Sequence, residues 1–220
     1  LLFLGLLIFA AMLMAAWYRV DGIPTEASST FLSGDGYTSV REDDGGLIFS
    51  PDNGNGNGNG IVIMHGALIL PQSYAKSAAY FAQLGYTVYL PNGPGRMSIA
   101  AIDMTAERLE EFDIETWFFI GHSMGGMASL ETISSHDINA KAVALWGAAM
   151  PSDYSEVRVP ILYLWGDTDG LIPPERFSSG QQNLPGHVQY LTVPGANHKN
   201  FAMYSHQFFD KEATMDWMAQ

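Results

Sequence analysis

The apolar residues of this chain fall into short continuous runs separated by stretches of helical spacing. The runs at 61–64 (Ile-Val-Ile-Met), 116–120 and 161–165 are rich in β-branched and aromatic residues and read as buried strands, with further strands at 46–50, 86–90, 142–145 and 188–193. Between them, Tyr74, Ala78, Phe81 and Leu84 recur at helical spacing within 73–84, and helices are predicted at 97–112, from about 127 onward, at 175–183 and at 211–218. Alternation of strands with helices predicts a mostly parallel sheet covered by helices on both faces, with no internal repeat and no second domain. In such sheets the reactive groups sit at the carboxyl ends of the strands.

The first 17 residues break this pattern, because none of them carries a charged or strongly polar side chain. As a helix this run reaches roughly 26 Å, just short of the ~30 Å hydrocarbon layer. Trp17 and Tyr18 suit the headgroup level and Arg19 can snorkel to phosphates, so residues 1–20 are predicted to be a single-pass membrane anchor. A cleaved signal segment, and hence secretion, is the alternative; no Ala-x-Ala site follows the run. Residues 21–45, rich in Gly, Ser, Thr, Asp and Glu, read as a linker, and 46–220 as the folded domain. The Asn-Gly repeats from Asn53 to Gly60 read as a flexible hairpin loop without function of their own.

Composition narrows the function classes. With 47% hydrophobic and 12% aromatic residues the chain is not a disordered polymer. A net charge of -13 arises from 23 acidic against only 10 basic residues, and the basic ones form no cluster, so nucleic acid is not an expected partner. The absence of cysteine removes disulfides, thiol nucleophiles and thiolate metal sites.

The candidate chemistry lies at three strand ends. Gly121-His122-Ser123-Met124-Gly125-Gly126 fits the nucleophile elbow Gly-x-Ser-x-Gly, and the strand before it and helix after it are the context in which such a turn lifts a serine hydroxyl out of the fold. Ser123 then needs a base, an acid to orient the base, and two amide donors for an oxyanion. Trp165-Gly166-Asp167-Thr168-Asp169-Gly170 leaves one later strand, and Pro194-Gly195-Ala196-Asn197-His198 leaves the last. Asp167 and Asp153 compete with Asp169 for the acid. His206, His187 and His136 compete with His198 for the base, but lack its strand-end glycine turn, while His65 and His122 flank the site.

On these motifs the chain resembles the α/β-hydrolases, and within that superfamily the small, lidless, dienelactone-hydrolase-like esterase branch, over about residues 46–220. The resemblance implies the α/β-hydrolase fold without a large cap domain, and a triad of Ser123, Asp169 and His198, the acid being the second aspartate of the Gly-x-x-Asp-Gly turn. It departs from true dienelactone hydrolases, which use a cysteine nucleophile, so lactone hydrolysis is not implied. The expected activity is cleavage of a small carboxylic ester or thioester through an acyl-enzyme, with neither metal nor organic cofactor. The backbone N–H of Met124 and of Ala67, with Leu68 as the alternative, would hold the oxyanion. Transfer of the acyl group to an alcohol or amine, and an idle binding scaffold at the membrane, are the competing readings. Met124, Leu68, Ile69, Trp146, Leu171 and Ile172 are expected near the site, and Arg96 is either a contact for an anionic substrate or a solvated side chain.

Overall fold

The computed structural model describes residues 7, 12, 14–34, 38–52 and 56–215. Eight strands, β1 Thr38–Asp43, β2 Gly46–Pro51, β3 Asn59–Met64, β4 Thr87–Pro91, β5 Thr116–His122, β6 Ala140–Trp146, β7 Ile161–Gly166 and β8 Gln189–Val193, form one sheet in the order β1-β2-β4-β3-β5-β6-β7-β8. The first two strands pair antiparallel and the remaining six parallel. Among the described residues the sheet is accompanied by α1 Glu26–Ser29, α2 Ala75–Gln83, α3 Ile102–Leu109, α4 Met124–Ser135 and α5 Pro174–Gln181, besides the helical residues 14–20.

The central strands are apolar throughout because both their faces are covered. Alternate residues of β3 divide between the two cores, with Val62 and Met64 packing beside Phe119, Leu130 and Leu145 on one face, and Ile61 and Ile63 beside Phe49, Ala78 and Ala82 on the other. The first face carries α3, α4 and α5. On the second, α2 lies over β2 and β4, and beyond it the outer strands are open, leaving Leu162 and Leu191 exposed.

Two expectations need amendment, and a third falls largely outside the described residues. The predicted linker 21–45 contains α1, a 3-10 turn at Thr30–Ser33 and the edge strand β1, whose polar residues conceal a strand that is held by pairing with β2. No helix forms at 211–215 of the predicted closing helix, and 216–218 lie outside the described residues. The apolar N-terminal run falls largely on residues outside those described. Residues 14–20 are helical, and among the described residues no helix is long and apolar enough to cross a membrane.

Candidate active site

Ser123 stands between the end of β5 and the first residue of α4, with φ 53° and ψ -118°. A non-glycine residue at positive φ is costly, and it persists here because the turn is held on both sides: Ser123 N–H donates to Trp146 O at 2.9 Å, and Ser123 O accepts from Gly126 N at 3.1 Å. The glycines are required by space. A Cβ on Gly121 would lie 2.5 Å from Gly126 Cα, and one on Gly125 would collide with the carbonyl of Met64. Ser123 does not cap its own helix, so its hydroxyl is not spent on the backbone.

Asp169 and His198 are each 1% exposed, and Asp169 Oδ2 lies 2.8 Å from His198 Nδ1. A carboxylate only accepts, so the imidazole proton sits on Nδ1 and Nε2 keeps a free lone pair. The other carboxylate oxygen accepts Leu171 N–H at 2.8 Å and Ile172 N–H at 2.7 Å, which fixes the acid's rotamer. The rival acids have other work. Asp167 is exposed and accepts Gly195 N–H, while Asp153 is a surface residue whose carboxyl is held low by the Ser155 hydrogen bonds. The rival bases are peripheral too: His136 pairs with Asp103, His187 meets Val159 O, and His206 pairs with Asp21.

The serine and the acid–base pair meet through their immediate neighbours. The His122 and His198 rings are 4.6 Å apart, and Gly147, following the Trp146 carbonyl that holds Ser123, sits so close that a Cβ there would be 3.1 Å from Asp169 Oδ2 and 3.4 Å from His198 Nδ1. Among the described residues the Ser123 hydroxyl makes no hydrogen bond, and such contacts are often long before substrate arrives.

The loop after β3 distinguishes the two candidate donors. Leu68 N–H is consumed by Arg96 O at 2.7 Å, whereas Ala67 N–H has no acceptor among the described residues. Met124 N–H, at the first position of α4, belongs to the helix end whose amides have no partner one turn back. Met124 follows Ser123 in the chain, and Gly66, next to Ala67, is near enough that a Cβ on it would lie 3.4 Å from Ser123 Cβ.

Two hydrogen-bond networks, one buried and one partly buried, escaped the sequence reading. In the first, Gly66 N–H donates to the Tyr74 hydroxyl at 2.9 Å, which donates to His122 Nδ1 at 2.7 Å, leaving His122 Nε2–H to donate to His198 O at 3.1 Å. The chain of donors runs one way because it starts at an amide and ends at a carbonyl. Burial, then the neighbouring His198, keep the His122 pKa well below its usual value, so this ring stays neutral. His65 is likewise pushed down by burial; its Nδ1 bonds Gly66 O and its Nε2 accepts Gly93 N–H. In the second network Asp210 accepts Gly170 N–H at 2.9 Å and His198 N–H at 3.3 Å on one oxygen, and Lys199 N–H at 2.9 Å on the other. It clamps the acid turn to the base turn, yet no local pattern around Asp210 marks it.

Of the apolar residues expected near the site, Ile69 and Ile172 are core at 2% and 3% exposure, while Met124, Leu68, Trp146 and Leu171 are half-buried. The Arg96 guanidinium lies 4.0 Å over the Tyr18 ring and donates to Tyr18 O.

The model of the Alpha/beta hydrolase family matches residues 60–220. The chain belongs to the α/β-hydrolase family. This α/β-hydrolase is 28% identical over 173 residues to the bis(hydroxyethyl) terephthalate hydrolase of Streptomyces coelicolor, covering 70% of this chain and 55% of that protein, so it spans about half the length of the curated relative. Among solved structures, a predicted CIB-like hydrolase from Thermoplasma acidophilum superposes with a TM-score of 0.58 at 18% identity, covering 73% of this chain and 89% of the other, which is a likeness of fold.

Proposed function

We propose that this α/β-hydrolase is a serine esterase acting on a small carboxylic ester or thioester. The observation that carries the reading is the buried Asp169–His198 pair at 2.8 Å beside a serine held at positive φ. An ester is also the substrate named for the Streptomyces relative.

In this mechanism Ser123 Oγ attacks the ester carbonyl as His198 Nε2 takes its proton. Asp169 holds the Nδ1–H and stabilises the imidazolium. Negative charge developing on the carbonyl oxygen is met by the N–H groups of Met124 and Ala67. Collapse of the tetrahedral species passes the proton from His198 to the departing alcohol and leaves an acyl group on Ser123. Water, deprotonated by the same imidazole, then releases the acid. The apolar residues 1–17 would tether this domain to a bilayer, a reading supported by the Trp17-Tyr18-Arg19 sequence that ends the run.

The test is hydrolysis of p-nitrophenyl acetate and butyrate by the protein and by Ser123→Ala, together with labelling by a fluorophosphonate. Activity and labelling that both disappear in a folded Ser123→Ala protein are expected. An unlabelled, inactive but folded parent protein would sink the proposal.

A further inference from the structure

Trp17, Tyr18, Phe208 and Phe209 form an aromatic rim at the surface. The Trp17 ring meets Phe208 edge-on at 5.5 Å and Phe209 at 6.3 Å, and the four side chains remain 37%, 40%, 36% and 81% exposed. The rim is rigidly built. Asp21, itself 2% exposed, accepts from the Trp17 indole at 2.8 Å, from Phe208 N–H at 3.1 Å, and lies 3.2 Å from His206 Nδ1. One buried carboxylate thus ties the end of the N-terminal helix to the segment that carries both phenylalanines.

Past its aromatic side chains, that segment leads into the scaffold of the site at Asp210. Phe209 immediately precedes Asp210, which clamps the Asp169 and His198 turns. On the other flank, Tyr18 covers Arg96, whose carbonyl holds Leu68 in the loop after β3. Those turns leave the carboxyl ends of β3, β4, β7 and β8, so the rim lies at the end of the sheet where Ser123 follows β5. Phe209 combines a positive φ of 67° with the greatest exposure of any large apolar side chain among the described residues. A positive φ and a bulky apolar ring held in water are both unfavourable, and an apolar medium against the ring relieves the second.

We propose that this rim is a bilayer-docking surface that sets the mouth of the Ser123 site against the lipid headgroups. It rests on the esterase reading only for what it implies about substrate, namely an ester that partitions into the membrane. The occupant is argued from continuity: 16 residues without a charged side chain lead directly into Trp17, and Leu7, Met12 and Met14 are each more than half exposed. Tryptophan and tyrosine next to an apolar helix are the side chains that settle at the headgroup level. The lipid is zwitterionic, since 23 acidic against 10 basic residues give no attraction to an anionic surface.

The chain has no cysteine, so Phe209→Cys and Gly186→Cys each accept a single nitrobenzoxadiazole label. Gly186 lies in open space before β8, at the opposite end of the sheet. With the full chain in phosphatidylcholine vesicles, the label at 209 should shift to the blue and be quenched by brominated phosphatidylcholine, while that at 186 reports water. Equal spectra at the two positions would overturn the proposal, as would a chain that does not float with the vesicles. A blue label at 209 without vesicles, dependent on protein concentration, would make the occupant a second copy and overturn it too.

Activity supplies a second reading. Asparagine tolerates positive φ, so Phe209→Asn removes the ring and keeps the backbone. Hydrolysis of p-nitrophenyl palmitate dissolved in the vesicles should fall by about tenfold, the loss of one interfacial aromatic, with p-nitrophenyl acetate in vesicle-free solution unchanged. A fall in both rates, or in neither, goes against docking. The label needs no turnover, so an inactive protein that docks would refute the esterase reading and leave this one standing.

Discussion

The Tyr74 hydroxyl donates to His122 Nδ1 across 2.7 Å in a fully buried contact, and through it the loop that carries Ala67 is joined to the backbone of His198. Tyr74→Phe leaves Gly66 N–H and His122 Nδ1 buried without partners, at about 1–3 kcal/mol each. The expected result is a folded but less stable protein whose kcat for p-nitrophenyl butyrate falls about 10- to 100-fold with KM little changed, because the donors it misplaces act in the transition state. A loss confined to KM would contradict this role.

Asp210 is expected to behave as a positioning residue. Asp210→Ala frees the Gly170, His198 and Lys199 amides at once, which loosens the acid turn from the base turn. A drop in kcat of about tenfold or more is expected, with partial recovery in Asp210→Asn, which retains one acceptor oxygen. Equal activity in the alanine and asparagine variants would refute the clamp.

Gly147 has φ 48° and little room for a side chain, since a Cβ would stand 3.2 Å from Phe201 Cε2 as well as close against Asp169 and His198. Gly147→Ala should cost about 1 kcal/mol or more from the backbone alone and lower kcat further by displacing the imidazole. Crystallography or histidine NMR of the variant would show a lengthened Asp169–His198 contact. An unaltered contact with full activity would exclude the steric argument.

Acid should destabilise the fold through two histidines. His122 and His65 have pKa values lowered chiefly by burial, so the unfolded chain, with imidazoles near 6.5, takes up protons that the folded one refuses. For these two groups the stability is held in full well above pH 6.5 and falls as pH drops below it, by up to about 1.4 kcal/mol per pH unit for each histidine until its folded state also takes up the proton. Urea unfolding at pH 7.5, 6.5 and 5.5 measures the slope. His122→Gln should flatten it by about half, and an unchanged slope would dismiss His122 as a source.

The legible parts of this protein were those written in a few adjacent residues. The strand before Ser123 and the helix after it could be read because four apolar residues, Trp117 to Ile120, precede a glycine-framed turn. β1 could not, since Thr38–Asp43 is polar and becomes a strand only by pairing with β2. The helix expected at 211–218 failed over 211–215, where Lys211 O and the Thr214 and Met215 amides are committed to the Asn197 side chain and to Gly195 O.

By itself the sequence determined the order of strands from β2 to β8 and of the helices between them, the serine turn, and the residues available as acid and base, because each depends on local spacing and on which side chains carry the needed atoms. Tertiary structure decided which of those residues meet. Asp169 rather than Asp167 faces His198, Ala67 rather than Leu68 keeps a free amide, and Tyr74 and Asp210 join the site from far along the chain. Such choices rest on hydrogen-bond geometry at about 3 Å between segments brought together by packing, and a spacing along one strand or helix carries no record of them.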